Sequence, residues 1–206
     1  MLFKSSFREA GRSDLQAVPN SFRTIANVER INLDDANLRV VPDCINLLTG
    51  LRKLYLGNCK LNRDDSFPDT FWQLTGLERL YLVGNNLTSI PSQIGQLSSL
   101  TYLSLSYNNL VSLPDEIYQL TNLTGLCLFD NKLESISEDI GKLTNLTNLW
   151  LFNNQLNKLP KSIGKLVNLG NNYGELYIFG NPLTSLPDSI RKVKHALGFT
   201  SKNIYI

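Results

Sequence analysis

The sequence predicts a right-handed α/β solenoid, a horseshoe with a parallel sheet on its concave face and short helical turns on its convex face. Three observations predict it. The phrase L-x-x-L-x-L-x-x-N-x-L recurs every 23 residues, starting at Leu77, Leu100, Leu123 and Leu146. Its asparagine keeps register at Asn85, Asn108, Asn131 and Asn154. The phrases are followed by a second half of the form Leu/Ile-Pro-x-x-Ile-Gly-x-Leu, most of them with a Leu/Ile-Pro pair, at Ile90-Pro91, Leu113-Pro114, Leu159-Pro160 and Leu186-Pro187. A fixed period of roughly 20–29 residues marks stacked units that each touch only their neighbours. Such a stack builds a long surface rather than a closed pocket, which argues for binding before any chemistry is sought.

The elements follow in order. Residues 1–27 read as an N-terminal cap with half a repeat. Leu15, Val18-Pro19, Phe22 and Ile25 copy the spacing of Leu87, Ile90-Pro91, Ile94 and Leu97, while Ser5 to Ala10 has lost the strand pattern. A cap is needed because the first repeat otherwise exposes its core. Residues 28–190 hold the repeats, with about seven strands. The first is Val28, Ile31, Leu33 and Leu38, with Ala36 where asparagine is expected. The second is Leu51, Leu54, Leu56 and Leu61, with Cys59 at the asparagine position. Four full copies follow, and the last is Tyr173, Leu176, Ile178, Asn181 and Leu183. Proline fixes φ and donates no backbone hydrogen bond, so it suits the extended approach to a short helical turn. Ile136-Ser137 is the one interior copy without it. Surplus residues lie near Asn62–Ser66 and Gly170–Tyr173 and read as loop bulges that leave the core intact. Residues 191–206 read as a C-terminal cap. A helix over Ser189 to Ala196 fits its start, and Ile204-Tyr205-Ile206 imitates the strand pattern and suits a final edge strand.

Composition narrows the function classes. The formal net charge is +2, so bulk charge does not steer the chain to nucleic acid or a membrane surface. No apolar run approaches the ~18 residues of a membrane span, and the first residues show no secretory pattern. Cys44, Cys59 and Cys127 are odd in number and widely spaced, which fits reduced thiols in a cytosol. The sequons at Asn86, Asn122 and Asn145 fall out of the repeat spelling. No metal spacing or phosphate loop is present, and no cofactor is implied. His195 is the only histidine and sits in a Lys/Arg-rich stretch. Cys127 has no histidine in a neighbouring strand to activate it, so no enzyme is expected.

The asparagine column, Asn85, Asn108, Asn131, Asn154 and Asn181, reads as a structural ladder that satisfies backbone groups between coils. The variable strand positions tell more, because alternation turns them to the concave face. The residue before the second leucine runs Arg30, Lys53, Arg79, Tyr102, Gly125, Asn148, Glu175. The residue between the second and third runs Asn32, Tyr55, Tyr81, Ser104, Cys127, Trp150, Tyr177. The residue after the third runs Asp34, Gly57, Val83, Ser106, Phe129, Phe152, Phe179, with Tyr107 beside it. Nine of the chain's nineteen aromatics therefore fall on or beside this face, although leucines already fill the core. Phe129, Phe152 and Phe179, flanked by Trp150 and Tyr177, predict a continuous apolar patch of the kind that marks an interface.

The full phrase resembles the intracellular Ras-group leucine-rich repeats of Ras-pathway scaffolds, plant intracellular repeat proteins and bacterial repeat proteins, effectors among them. The resemblance covers about residues 15–190 and speaks more to fold than to function. It implies a protein partner bound on the concave sheet, in the cytoplasm, or in a host cell for an effector. The expected function is a non-catalytic protein-interaction module. A recognition domain of a larger enzyme or signalling protein comes second. A binder of sugar or single-stranded RNA, using stacked rings with Arg30, Lys53 and Arg79, ranks below both. Pairing of two copies through an edge strand or the aromatic patch stays open.

Overall fold

The computed structural model describes residues 28–62, 65–169, 175–190, 193 and 204–205. The segment 1–27, expected as a cap, lies outside the described residues, as does His195.

Seven short strands arise where the sequence places x-L-x-L. They are β1 (Arg30–Asn32), β2 (Lys53–Tyr55), β3 (Arg79–Tyr81), β4 (Tyr102–Ser104), β5 (Gly125–Cys127), β6 (Asn148–Trp150) and β7 (Leu176–Tyr177). An eighth, β8 (Ile204–Tyr205), pairs with β7 at the edge where the sequence suggests a last strand. All are parallel and lie in sequence order in one sheet. The register sets each repeat position opposite its copy: Leu54 faces Leu80, Leu103 faces Leu126 and Leu126 faces Leu149. These leucines have no exposed surface. Burial of each contributes on the order of 1.5–3 kcal/mol, so the stack is held mainly by the leucine rows.

The other side of each coil is a five-residue 3-10 turn: Asp43–Leu47, Asp69–Gln73, Ser92–Gln96, Asp115–Gln119, Glu138–Lys142 and Lys161–Lys165. Proline precedes five of the six with φ between −62° and −68° and extended ψ. Each turn points one isoleucine or phenylalanine inward, such as Ile94, Ile117 and Ile140. Adjacent turns also touch directly. A Cβ on Gly141 would stand 2.8 Å from Ser162 Cβ, so this layer spacing excludes a side chain there. One charged bridge spans the same layer. The Glu138 carboxylate accepts from the backbone N–H of Lys161 at 2.9 Å and of Ser162 at 2.8 Å. Those bonds hold its carboxyl below the usual glutamate range.

One local feature departs from the sequence expectation. The first surplus segment does more than bulge. Ser66 is fully buried; its hydroxyl donates to Arg39 O at 2.8 Å and its carbonyl accepts from Val41 N at 2.8 Å. Phe71 and Trp72 then take the positions that read Ile-Gly elsewhere and pack edge-on at 4.8 Å, with Phe67 tilted against both. The second surplus segment, residues 170–174, lies outside the described residues, and of the helix expected over Ser189 to Ala196 only Ser189, in a turn, and Ile190 and Val193, both helical and buried, are described.

Candidate protein-binding face

The asparagines are committed to the backbone. Asn108 Nδ2 donates to Leu82 O at 3.0 Å in the preceding coil and to Leu105 O at 2.9 Å in its own. Its Oδ1 accepts from Asn85 N at 3.0 Å and Leu87 N at 2.9 Å. Asn85, Asn131, Asn154 and Asn181 repeat the pattern, each donating to the carbonyl of the third strand leucine one coil back. Cys59, at the asparagine position of the second repeat, makes the corresponding donation with its thiol, to Leu33 O at 3.0 Å. Ser66 and Cys59 show the same economy: a small polar side chain meets one carbonyl that the coil would otherwise bury unpaired.

The nine aromatics on the sheet face separate into two groups. In the first, Tyr55 and Tyr81 stack at 4.4 Å with a 4° interplanar angle, and Tyr102 tilts against Tyr81 at 5.2 Å. In the second, Phe129 stacks on Phe152 at 4.4 Å and Phe152 on Phe179 at 4.7 Å. Tyr107 meets Phe129 edge-on at 5.2 Å, while Trp150 lies 6.2 Å from Phe129 and Tyr177 6.2 Å from Phe152 and 6.1 Å from Phe179. The Phe129, Phe152 and Phe179 rings lie within 11° of parallel, so their inner faces cover one another.

Between the groups the face is sealed by small residues. Ser104, Ser106, Gly125 and Cys127 are buried. Tyr102 folds over Gly125, where a Cβ would meet the ring at 2.5 Å. Its hydroxyl lies 3.0 Å from Cys127 Sγ. Burial pushes the Tyr102 hydroxyl up and raises the Cys127 thiol to about 11. Cys59 is likewise raised to about 11 by burial. Neither thiol is a thiolate near neutral pH, so neither has the form of a nucleophile. Tyr102, half-buried, therefore leans over the middle of the face, and the glycine in β5 is the sequence signal for that close approach.

The cations form a row of their own. Register sets Arg30 opposite Lys53 and Lys53 opposite Arg79. Arg30 lies 4.7 Å over the Tyr55 ring. None of the three makes an ion pair with a carboxylate among the described residues; Glu78 turns to Arg52 at 3.7 Å instead, and Asp34 accepts from Gly57 N at 2.7 Å.

One backbone position stands out. The second residue after each third leucine has positive φ: Asp35 64°, Asn58 54°, Gly84 69°, Tyr107 55°, Asp130 53°, Asn153 53° and Gly180 67°. Asp, Asn and Gly are the residues that adopt this region readily. Neighbours in the column even brace one another, with Asn58 Nδ2 3.1 Å from Asp35 Oδ1 and Asn153 Nδ2 2.9 Å from Asp130 Oδ1. Tyr107 is the exception in this column, although Arg39 at 58° and Lys60 at 61° share the region elsewhere, and at 58% it is the most exposed large apolar side chain described.

Among the described residues there is no cluster of side chains able to hold a metal and no helix long and apolar enough to cross a membrane. A family model described as a leucine-rich repeat region matches residues 37–171. No curated protein sequence matches significantly. Among solved structures, a leucine-rich repeat protein of Leptospira interrogans superposes with a TM-score of 0.65 at 31% identity, covering 93% of this chain and 52% of that one. The leucine-rich repeat ectodomain of the Arabidopsis thaliana membrane receptor kinase GASSHO1/SCHENGEN3, in complex with Casparian strip integrity factor 2, superposes at 0.68 and 29% identity, covering 86% of this chain and 21% of that one. The chain thus spans about half and about a fifth of these two similar chains.

Proposed function

The chain belongs to the leucine-rich repeat family, and from that premise we propose that it is a non-catalytic module that holds a partner protein on its concave sheet. The anchors are Tyr107, Phe129, Trp150, Phe152, Tyr177 and Phe179. The observation that carries this reading is Tyr107: a bulky ring kept exposed on a backbone that suits Asp, Asn or Gly. Strained backbone of this kind costs on the order of 1 kcal/mol and persists where function needs it. Large aromatics at the centre of such a face are favoured anchors. The receptor ectodomain with its bound factor supports the idea that this fold takes a protein ligand. The Pro-x-x-Ile-Gly phrase favours the intracellular Ras-group branch, hence a scaffold or regulator in the cytoplasm or an effector acting in a host.

A second reading has one observation of its own. Both similar structures are much longer than this chain, and one is the ectodomain of a membrane receptor kinase. On that reading the repeats are the recognition part of a larger signalling protein or enzyme. A sugar or RNA platform is disfavoured, because a base or sugar needs a free ring face and the phenylalanine faces are mostly taken.

The test is an affinity capture from lysate comparing wild type with a Phe129/Trp150/Phe152 triple alanine variant of unchanged circular dichroism. A protein kept by the first and lost by the second is the expected result. Equal recovery would move the site off this face.

A further inference from the structure

The two halves of the sheet face ask for different chemistry, and we infer that the ligand is an extended peptide segment with an acidic end and an apolar end about seven residues apart. This rests on the concave-face reading above and goes beyond it. The acidic end would lie over Arg30, Lys53 and Arg79. Three like charges set opposite one another across parallel strands destabilise the free sheet, and here no carboxylate of the described residues pairs with them. The apolar end would lie over Phe129, Phe152 and Phe179.

Spacing follows from the register. Lys53 starts β2, and its register counterpart in β6 is Asn148, four strand steps away; Phe152 lies four residues further along that coil. At ~4.8 Å per step this is ~19 Å across the sheet, and the offset along the strand adds ~13 Å at right angles, so the diagonal is ~23 Å, which an extended chain at ~3.3 Å per residue crosses in about seven residues. The sealed middle, where Tyr102 covers Gly125 and Ser104 and Cys127 are buried, offers no side-chain pocket. The linking residues are therefore unrestricted in type but fixed in number. An acidic nucleic acid would also answer the cations, yet it has no use for stacked phenylalanine rings whose inner faces are closed.

The experiment is selection of a random twelve-residue peptide display library on the full chain, followed by anisotropy of the enriched peptides. Expected are sequences with Asp or Glu at one end and an aromatic or aliphatic residue about seven positions away. Their affinity should fall about tenfold in an Arg30→Glu/Lys53→Glu/Arg79→Glu variant, the sum of three modest exposed pairs, and should weaken with salt. Enriched peptides that bind through Phe152 but are neutral at the far end, or that ignore the charge reversal, would overturn the acidic end and leave the concave-face reading standing. Enriched peptides indifferent to Phe152→Asp would overturn both. Displacement by a twelve-nucleotide oligouridylate as effective as by the peptide itself would overturn the peptide in favour of RNA.

Discussion

At the scale of the residue, Tyr107 separates what the fold wants from what the surface offers. Its φ of 55° is shared by a column of Asp, Asn and Gly, and its ring touches Phe129 only by an edge. Replacement by alanine and by asparagine removes the same ring contact, but only asparagine relaxes the backbone. Tyr107→Asn is therefore expected to be more stable than Tyr107→Ala by about 0.5–1 kcal/mol in denaturant unfolding, while both weaken capture of the partner. Equal stability of the two would mean that the backbone there is unstrained. The sequence shows Tyr107 beside the face, but the strain needs the column of dihedral angles. The leucine and asparagine positions, by contrast, are legible from spacing, because period sets register and register sets burial.

At the scale of the element, the turn that lacks proline explains itself through its neighbour. Ser137 carries a free N–H where the other turns have proline, and the Tyr118 hydroxyl accepts it at 3.3 Å. Tyr118 in turn stands where Gly95, Gly141 and Gly164 stand in other repeats. The Ser137 hydroxyl also accepts from Asp139 N at 3.2 Å, which caps the turn. Ser137 has φ −63°, which proline would accept, but the proline ring would point at the tyrosine hydroxyl. Ser137→Pro should then cost about 1–3 kcal/mol. Tyr118→Phe should cost about as much by stranding a donor, and the double variant less than the two together. Additive costs in that cycle would show that the two substitutions are independent. The sequence displays both departures from consensus, yet nothing in one-dimensional spacing links residues 118 and 137; stacking of adjacent turns does.

At the scale of the whole molecule, the sequence makes the solenoid plain and the face only partly so. Alternation placed nine aromatics on one side, but side-chain torsions divided them, because Tyr102 found room over Gly125 and the phenylalanines found one another. The stack of Phe129, Phe152 and Phe179, with rings 4.4 and 4.7 Å apart, has a consequence for the thermodynamics of association. Each ring's rotamer is already fixed by the next, so a partner seated there freezes few torsions that were free before. The ordering cost of docking, about 0.5–1.5 kcal/mol for each mobile side chain, is then largely met during folding. Titration calorimetry of a partner or selected peptide should accordingly show the negative heat-capacity change of apolar burial. Phe152→Leu, which leaves the apolar area but loosens the stack, should bind with a larger entropic penalty. An unchanged entropy in that variant would mean that the stack is not what prepares the surface.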